Sequence, residues 1–481
     1  MADRNEDSSR SPISSGSADP AHPDNKRDRE YGMYPDRLFI HKYRPGIPQR
    51  FGRIVRGSYN AIFPLFFTDG TAAALRVALP GVNAFPDEKV RVEVATMRYI
   101  EKMTSIPVPH VYHWSTADEN PLGLGAFIIM DYVHDERSLA SVLKDPTAEE
   151  PEQYLDPNIP TDKLERMYRQ LASSILELSK LEMPKIGSLH RPLTVDMNEL
   201  VKSGGIPPSE WYEALADMHV AHLTFQRNSA VESADDGRDK FVARHLFRQA
   251  AAKGQQESQR AGQETFKLWV DDLRPQNVLV DAGLNIVAVI DWEWAYFAPA
   301  QFVYDPPYWL LLERPEFWYG TVLEWRDKFS RVLDVFCRAL RSLEEEQKKG
   351  DGEEEEWSIT EHILALSLDP ETAAQTEETP VVPLSERMRE SWKSGTFWED
   401  YAARRCYGFD PIFWEFLDER FFGKNAEGGY EGRMNLLSDK VRRRMHLFVD
   451  RKMEESKEER IEEWDPEAAR IYLGDILLDL S

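Results

Sequence analysis

Residues 266–294 read FKLWVDDLRPQNVLVDAGLNIVAVIDWEW. Three short apolar runs are separated by a polar loop and by the DAG turn, which predicts strand, loop, strand, turn, strand. The chain around this island has a helical texture, as in LERMYRQLASSILELSKL, whose apolar residues fall on one face. A hairpin set among helices is the sort of element that carries a site. Its oxygen-bearing side chains stand at the strand ends: Asp272 and Asn277 in the loop, Asp291 where the last strand stops.

Upstream, the pattern from Phe51 is of short strands: FGRIV, the RGSYN turn, AIFPLFF, the TDG turn and TAAALRVAL. Asp69-Gly70 between apolar runs is a hairpin signal, because tight turns need positive φ. Val90, Val94, Met97 and Ile100 then repeat at helical spacing, predicting one amphipathic helix from Pro86 to Met103 that ends before Pro107. VPHVYHW and GAFIIMDYV add two strands, completing an antiparallel sheet with one helix on it. After Val133 the chain reads as mainly helical.

Composition sets the outer limits. The chain has 481 residues, 42% hydrophobic, enough for one large two-lobed core or two to three smaller ones. Its 59 Lys and Arg against 84 Asp and Glu give a net charge of -25, which repels phosphate backbones and anionic lipid, so neither nucleic acid nor a membrane is expected as a partner. Cys337 and Cys406 are too few for a disulfide framework and lack zinc-ligand spacing. Residues 1–35 are rich in Ser, Asp, Pro and Arg without an apolar stretch, which predicts a disordered tail and no secretory signal. No apolar run approaches the roughly 18 residues of a membrane span, so a cytoplasmic protein is expected. Residues 227–239 and the acidic run at about 342–380 read as insertions on a solvated surface, and no internal repeat is visible. PIFWEFLDERFF and similar Trp- and Phe-rich stretches in the last third are expected to pack as core or cover a cleft.

The chemistry that these residues suit is phosphoryl transfer. One Asp can take the proton of an attacking hydroxyl, while an Asn five residues on and a second Asp across the hairpin offer hard oxygens to Mg²⁺. Taken singly, Asp272 or Asn277 is as well explained as a turn cap. Together with a second strand ending in IDWE and a β-rich region upstream in the right order, they point to a site.

DLRPQNVLV followed by VIDWEW resembles the DLxPxN and IDWE motifs of the aminoglycoside phosphotransferase and choline kinase superfamily, and LWVDDLRPQN with APAQFVYDPPYWLLLERPEFW resembles uncharacterised fungal members. The likeness spans roughly residues 51–312. It implies an α+β, bilobal protein-kinase-like fold: a small antiparallel β-rich N-lobe over 36–133, and a large mainly α-helical C-lobe over 134–481 carrying the catalytic hairpin 266–295. It implies ATP and Mg²⁺ as cofactors and a small-molecule hydroxyl as acceptor. Asp272 would be the base, with Asn277 and Asp291 on the metal. Gly57 and Ser58, in the turn Arg56-Gly57-Ser58-Tyr59-Asn60, would lie over the phosphates, although an ordinary hairpin turn reads the same. Arg76 would meet the α- and β-phosphates, paired with Glu93, with Glu88 a competitor for that pairing. The backbone from Asp131 through Val133 would face adenine.

Two places depart from the family. Val270 stands where most members have a His that braces the loop, and YFAPAQFVYDPP replaces a GDPxxDL element whose Asp ties the loop down, a carboxylate displaced here to Asp305 or lost. Asp271 beside Asp272 is expected to face elsewhere, as adjacent side chains do. These departures keep open a weak or inactive nucleotide-binding scaffold, and DLRPQN alone also permits a protein kinase. The acidic, aromatic-rich C-terminal lobe points to a cationic or amine-bearing acceptor.

Overall fold

A computed structural model describes residues 37–79, 81–82, 85–121, 123–134, 136–148, 154–183, 187–188, 208–254, 266–350, 382–457 and 466–477. The expected tail and most of the acidic insertion, residues 351–381, lie outside them. The described chain is α+β with antiparallel sheets, and it divides into two compact units: Met1–Gly204 with Phe266–Ala298, and Gly205–Thr265 with Pro299–Ser481.

The first unit opens with helix α1 (Arg37–Tyr43) and the strands β1 (Pro48–Phe51), β2 (Val55–Arg56), β3 (Asn60–Phe67) and β4 (Ala72–Ala78). Helix α2 (Pro86–Met103) has the bounds expected from its periodicity, and β5 (Val111–Ser115) and β6 (Phe127–Asp131) follow. The sheet order is β1-β3-β4-β6-β5, with β2 also paired to β3. Gly70, at φ +83, makes the turn between β3 and β4, where Phe67 and Gly70 close a backbone hydrogen bond of 3.2 Å. FGRIV is not the single strand expected. Pairing to β3 is interrupted between Phe51 and Val55, opposite Pro64, which has no N–H to give to a ladder.

Strand alternation gives the sheet two different faces. Phe63, Leu65 and Phe67 of β3, Ala73, Leu75 and Val77 of β4, and Phe127 and Ile129 of β6 share one core with Phe39 and Ile40 of α1. Ala74, Arg76 and Ala78 therefore point to the other face, and small neighbours leave room there for a guanidinium.

The rest of the first unit holds the hairpin. Helix α3 (Leu139–Leu143) follows the short strand β7 (Arg137–Ser138), helix α4 spans Thr161–Leu178, and β8 is Glu182–Met183. The quoted stretch folds as β9 (Phe266–Val270), β10 (Val278–Val280) and β11 (Ile286–Val289), and β12 (Ala295–Pro299) completes the island. Only β10 and β11 pair with each other, joined by β7, whereas β9 lies between β8 and β12 in a separate sheet. The loop with Asp272 thus connects two small sheets.

The second unit is helical in its described residues. Helices α5 (Pro208–Phe225) and α6 (Ala234–Ala252) pack together, followed by α7 (Val322–Gly350), α8 (Leu384–Ser394), α9 (Thr396–Arg404), α10 (Asp439–Glu455) and α11 (Pro466–Leu477). Within residues 227–239, Ser233 caps α6, its hydroxyl accepting from the Asp236 N–H at 3.1 Å. Aromatic side chains fill the core, with Trp325 stacked on Phe329 at 4.4 Å and Trp398 on Phe416 at 3.9 Å. No helix among the described residues is long and apolar enough to cross a membrane.

Candidate active site

The loop after β9 is short because Pro275 starts a single 3-10 turn, Pro275–Asn277, which feeds directly into β10. That turn fixes Asn277 against Asp272. The Asn277 amide nitrogen donates to Asp272 Oδ2 and to the Asp272 carbonyl oxygen, each at 2.9 Å. Arg274 Nε lies 2.9 Å from Asp272 Oδ1. Asp271 accepts from the Trp269 indole N–H at 2.8 Å. Val270 is 7% exposed, so packing holds the position where a His was absent.

Strand pairing then brings the second Asp to the same place. Val278 opposes Val289, and the Ile290 N–H donates to the Asn277 carbonyl at 2.9 Å, so Asp291 leaves β11 beside Asn277. Asp291 adopts φ +67 and ψ 58, a left-handed conformation that few residues other than Gly, Asn and Asp tolerate. Such strain is concentrated at functional sites. The turn that follows, Trp292–Trp294, is anchored by Trp292, 1% exposed, whose indole N–H donates to the Val289 carbonyl at 2.8 Å.

Arg76 ties this hairpin to the first sheet. Its Nη1 donates to Glu93, and its Nη2 lies 3.2 Å from Asp291 Oδ1 and 3.1 Å from Glu293 Oε2. Turned with its oxygen toward Arg76, the Asn60 amide would accept from Nη2 at 2.8 Å and from Nε at 3.2 Å. Glu93, not Glu88, is the partner, because α2 packs on the turn Trp292–Trp294 and turns Glu93 inward to 1% exposure. Burial pushes the Glu93 carboxyl up to about 7, against the pull of Arg76 and with Asp291 and Glu293 adding to the rise. Burial also raises Glu293, with Asp291 adding to it and Lys89 and Arg76 opposing.

Lys89, Glu293, Arg274 and the side chain of Asn60 were not singled out from the sequence. A signal existed for two of them: Lys89 stands four residues before Glu93 on one helix face, and Glu293 two residues after Asp291. Lys89 Nζ sits 2.7 Å from Glu293 Oε2.

The remaining expected residues lie around this cluster. The Gly57 N–H closes a turn on the Asn60 carbonyl at 2.9 Å, with Gly57 and Ser58 exposed. A Cβ on Gly57 would meet only the Asn60 carbonyl oxygen, at 3.7 Å, so no steric need places glycine there. The Asp131 N–H donates to the His110 carbonyl at 3.0 Å and the Tyr132 N–H to the Ala72 carbonyl at 2.9 Å, so both are engaged by neighbouring strands. The Asp131 carboxylate accepts from Tyr112 Oη at 2.6 Å and from the His110 N–H at 3.1 Å. Asp305, considered as a displaced loop brace, is held within the second unit by Ser391 Oγ at 2.5 Å and Arg404 Nη2 at 3.2 Å.

No family model matches the chain. Two curated proteins from strains of Aspergillus fumigatus, both called subtelomeric hrmA-associated cluster proteins, are each 27% identical to it over 144 residues, or 30% of this chain. The match spans only 25% of their length. Solved structures similar to the chain are aminoglycoside and macrolide phosphotransferases and choline and ethanolamine kinases. A type I macrolide 2'-phosphotransferase is 12% identical with a TM-score of 0.39, covering 80% of this chain and 96% of its own. A Plasmodium vivax ethanolamine kinase is 10% identical at 0.37, covering 85% and 81%. An amicoumacin kinase in complex with AMP-PNP and Ca²⁺ is 11% identical at 0.38, covering 89% and 96%. With TM-scores under 0.5, the reading of the site rests on its own geometry.

That geometry fits a hard divalent cation. Asn277 directs its amide nitrogen to Asp272, so the atom it can offer is the amide oxygen, and the Asp291 side chain is 34% exposed. Oxygens of these two kinds are what Mg²⁺ requires. Among the described residues, no cluster of three or more His, Cys, Asp or Glu is arranged to hold a metal by itself.

Proposed function

We propose that the chain is an ATP- and Mg²⁺-dependent phosphotransferase of bilobal, protein-kinase-like fold, with lobes over 36–133 and 134–481, acting on a hydroxyl of a small molecule. The observation that carries this reading is the hydrogen bond from Asn277 to Asp272 on a loop whose main chain pairs with Ile290, the residue before Asp291, itself linked through Arg76 to Glu93. Oxygen-bearing groups on adjoining strand ends, with a guanidinium on Asp291, suit a reaction that needs positioning and charge neutralisation more than covalent help.

In this mechanism Asp272 accepts the proton of the acceptor hydroxyl as its oxygen forms a bond to the γ-phosphorus. The bond from that phosphorus to the bridging oxygen breaks, and ADP leaves. Asn277 and Asp291 would hold Mg²⁺, which neutralises charge on the phosphate oxygens. Arg76, set by Glu93, orients the phosphates, Gly57 and Ser58 cover them, and backbone groups from Asp131 through Val133 receive adenine. With the Asp131 and Tyr132 N–H groups donating to the His110 and Ala72 carbonyls, the Val133 N–H is the proposed donor there. The acceptor is proposed to be cationic or amine-bearing, and the protein to be cytoplasmic.

One observation favours a second reading, a nucleotide-binding scaffold with weak or no catalysis. Arg274 and Arg76 each lie against a carboxylate that the reaction uses, Asp272 and Asp291. Turnover of Mg-ATP against a panel of amino alcohols and sugars, in wild type and Asp272→Ala, separates the two. Equal turnover in both removes the proposed base, and thermal stabilisation by Mg-ATP without turnover supports the scaffold. Phosphate appearing in a polypeptide instead would indicate a protein kinase.

A further inference from the structure

The Arg76 guanidinium is crowded with acceptors. Glu93, Asp291, Glu293 and Asn60 surround it, and its side chain is 7% exposed. A guanidinium carries five N–H donors in a rigid fork, and with Nη1 on Glu93 and Nη2 on Asp291 and Glu293 few of them are open to a phosphate. Three carboxylates, Glu93, Asp291 and Glu293, already face the two cations Arg76 and Lys89. A polyphosphate entering here adds further negative charge, and Arg76 alone has little left to answer it.

Lys89 is placed to do so. It lies on α2 one turn before Glu93, its Nζ 2.7 Å from Glu293 Oε2 on one side and 5.1 Å from the centroid of the Tyr59 ring on the other. Tyr59 belongs to the exposed turn that the proposed function sets over the phosphates. An ammonium on a flexible stem can leave one anion for another without breaking a two-pronged pair, which a guanidinium cannot do as cheaply.

We infer that Lys89 is a second phosphate-binding side chain, handed from Glu293 to the polyphosphate of a bound nucleotide while Arg76 stays in place. The inference rests on the proposed nucleotide site. Glu293 is then a positioning residue, holding Lys89 beneath the turn until nucleotide arrives.

Calorimetric titration of the full chain with ATP, ADP and adenosine tests this in wild type, Lys89→Met, Lys89→Arg and Glu293→Gln. Lys89→Met is expected to weaken ATP and ADP by about tenfold or more and to leave adenosine unchanged, and Lys89→Arg to recover most of the loss. Glu293→Gln should bind ATP at least as tightly as wild type, since it releases Lys89. Weakening of ATP by both Lys89→Met and Glu293→Gln, or equal weakening of ATP and adenosine, marks a purely structural ion pair and overturns the inference. Unchanged ATP affinity in Lys89→Met overturns it too. Wild type that binds none of the three ligands overturns the nucleotide site itself, an outcome distinct from the others.

Discussion

Asn277 donates its side-chain amide to Asp272 twice, at the carboxylate and at the backbone carbonyl, each at 2.9 Å. The orientation of Asp272 is therefore set by Asn277, with Arg274 on the other carboxylate oxygen. Asp272→Ala is expected to lower kcat by about 10²- to 10⁴-fold, the range of general-base contributions, while leaving Mg-ATP affinity nearly as in wild type. Single-turnover kinetics alongside calorimetry read the two quantities. A loss of ATP binding that matches the loss of kcat would assign Asp272 to nucleotide binding and not to proton transfer.

Arg76 holds three buried or partly buried carboxylates together, so its removal leaves them facing one another. Arg76→Met is expected to destabilise the first unit by about 3–5 kcal/mol, as breaking a buried pair from one side does. Glu93→Gln, which removes a charge that burial disfavours, should cost less. Denaturant unfolding of both variants checks the order, and a change under about 0.5 kcal/mol for Arg76→Met contradicts it.

Asp291, at φ +67, separates conformational from chemical demands. Asn shares the tolerance of Asp for the left-handed region, whereas Ala pays about 1 kcal/mol there. Asp291→Asn should keep wild-type stability within about 0.5 kcal/mol, and Asp291→Ala should lose roughly 1 kcal/mol more. Both should lose most Mg²⁺-dependent turnover, measured as rate against Mg²⁺ concentration. Full activity in Asp291→Asn would dismiss the carboxylate as a metal ligand.

Two histidines make the second unit sensitive to acid. Burial, with help from Arg244, pulls His219 down to about 3 and His222 to about 4. His219 is wholly buried, its Nε2 donating to the Ala403 carbonyl at 2.9 Å. Unfolded, both would titrate near 6.5, so between that pH and their folded values the unfolded chain binds more protons. Their contribution is fully present above pH 6.5 and is lost as pH falls toward 4 and then 3. The denaturant midpoint should drop between pH 7 and 4.5, and His222→Asn should lessen the slope. An unchanged slope in that variant counts against neutral burial of His222.

Local pattern carried a large part of the result. Apolar spacing at Val90, Val94, Met97 and Ile100 placed α2 from Pro86 to Met103, and the alternation in AIFPLFF and TAAALRVAL placed β3 and β4 about one sheet. FGRIV failed as one strand for a reason lodged in a different strand, the missing N–H of Pro64. The loop residues Asp272 and Asn277 lie five positions apart, near enough for a single turn to join them, so their meeting was legible from spacing alone.

The sequence by itself determined which side chains could meet within a turn, a strand pair or one helix face, because those distances follow from backbone periods of two and 3.6 residues. It did not determine how Arg76 of β4 is shared among Glu93, Asp291, Glu293 and Asn60, or that Lys89 closes on Glu293. Asp291 and Glu293 come from more than two hundred positions away. Only the packing of α2 on the turn Trp292–Trp294 brings those charges together, since helix and strand periods carry no information about which distant element a face will cover.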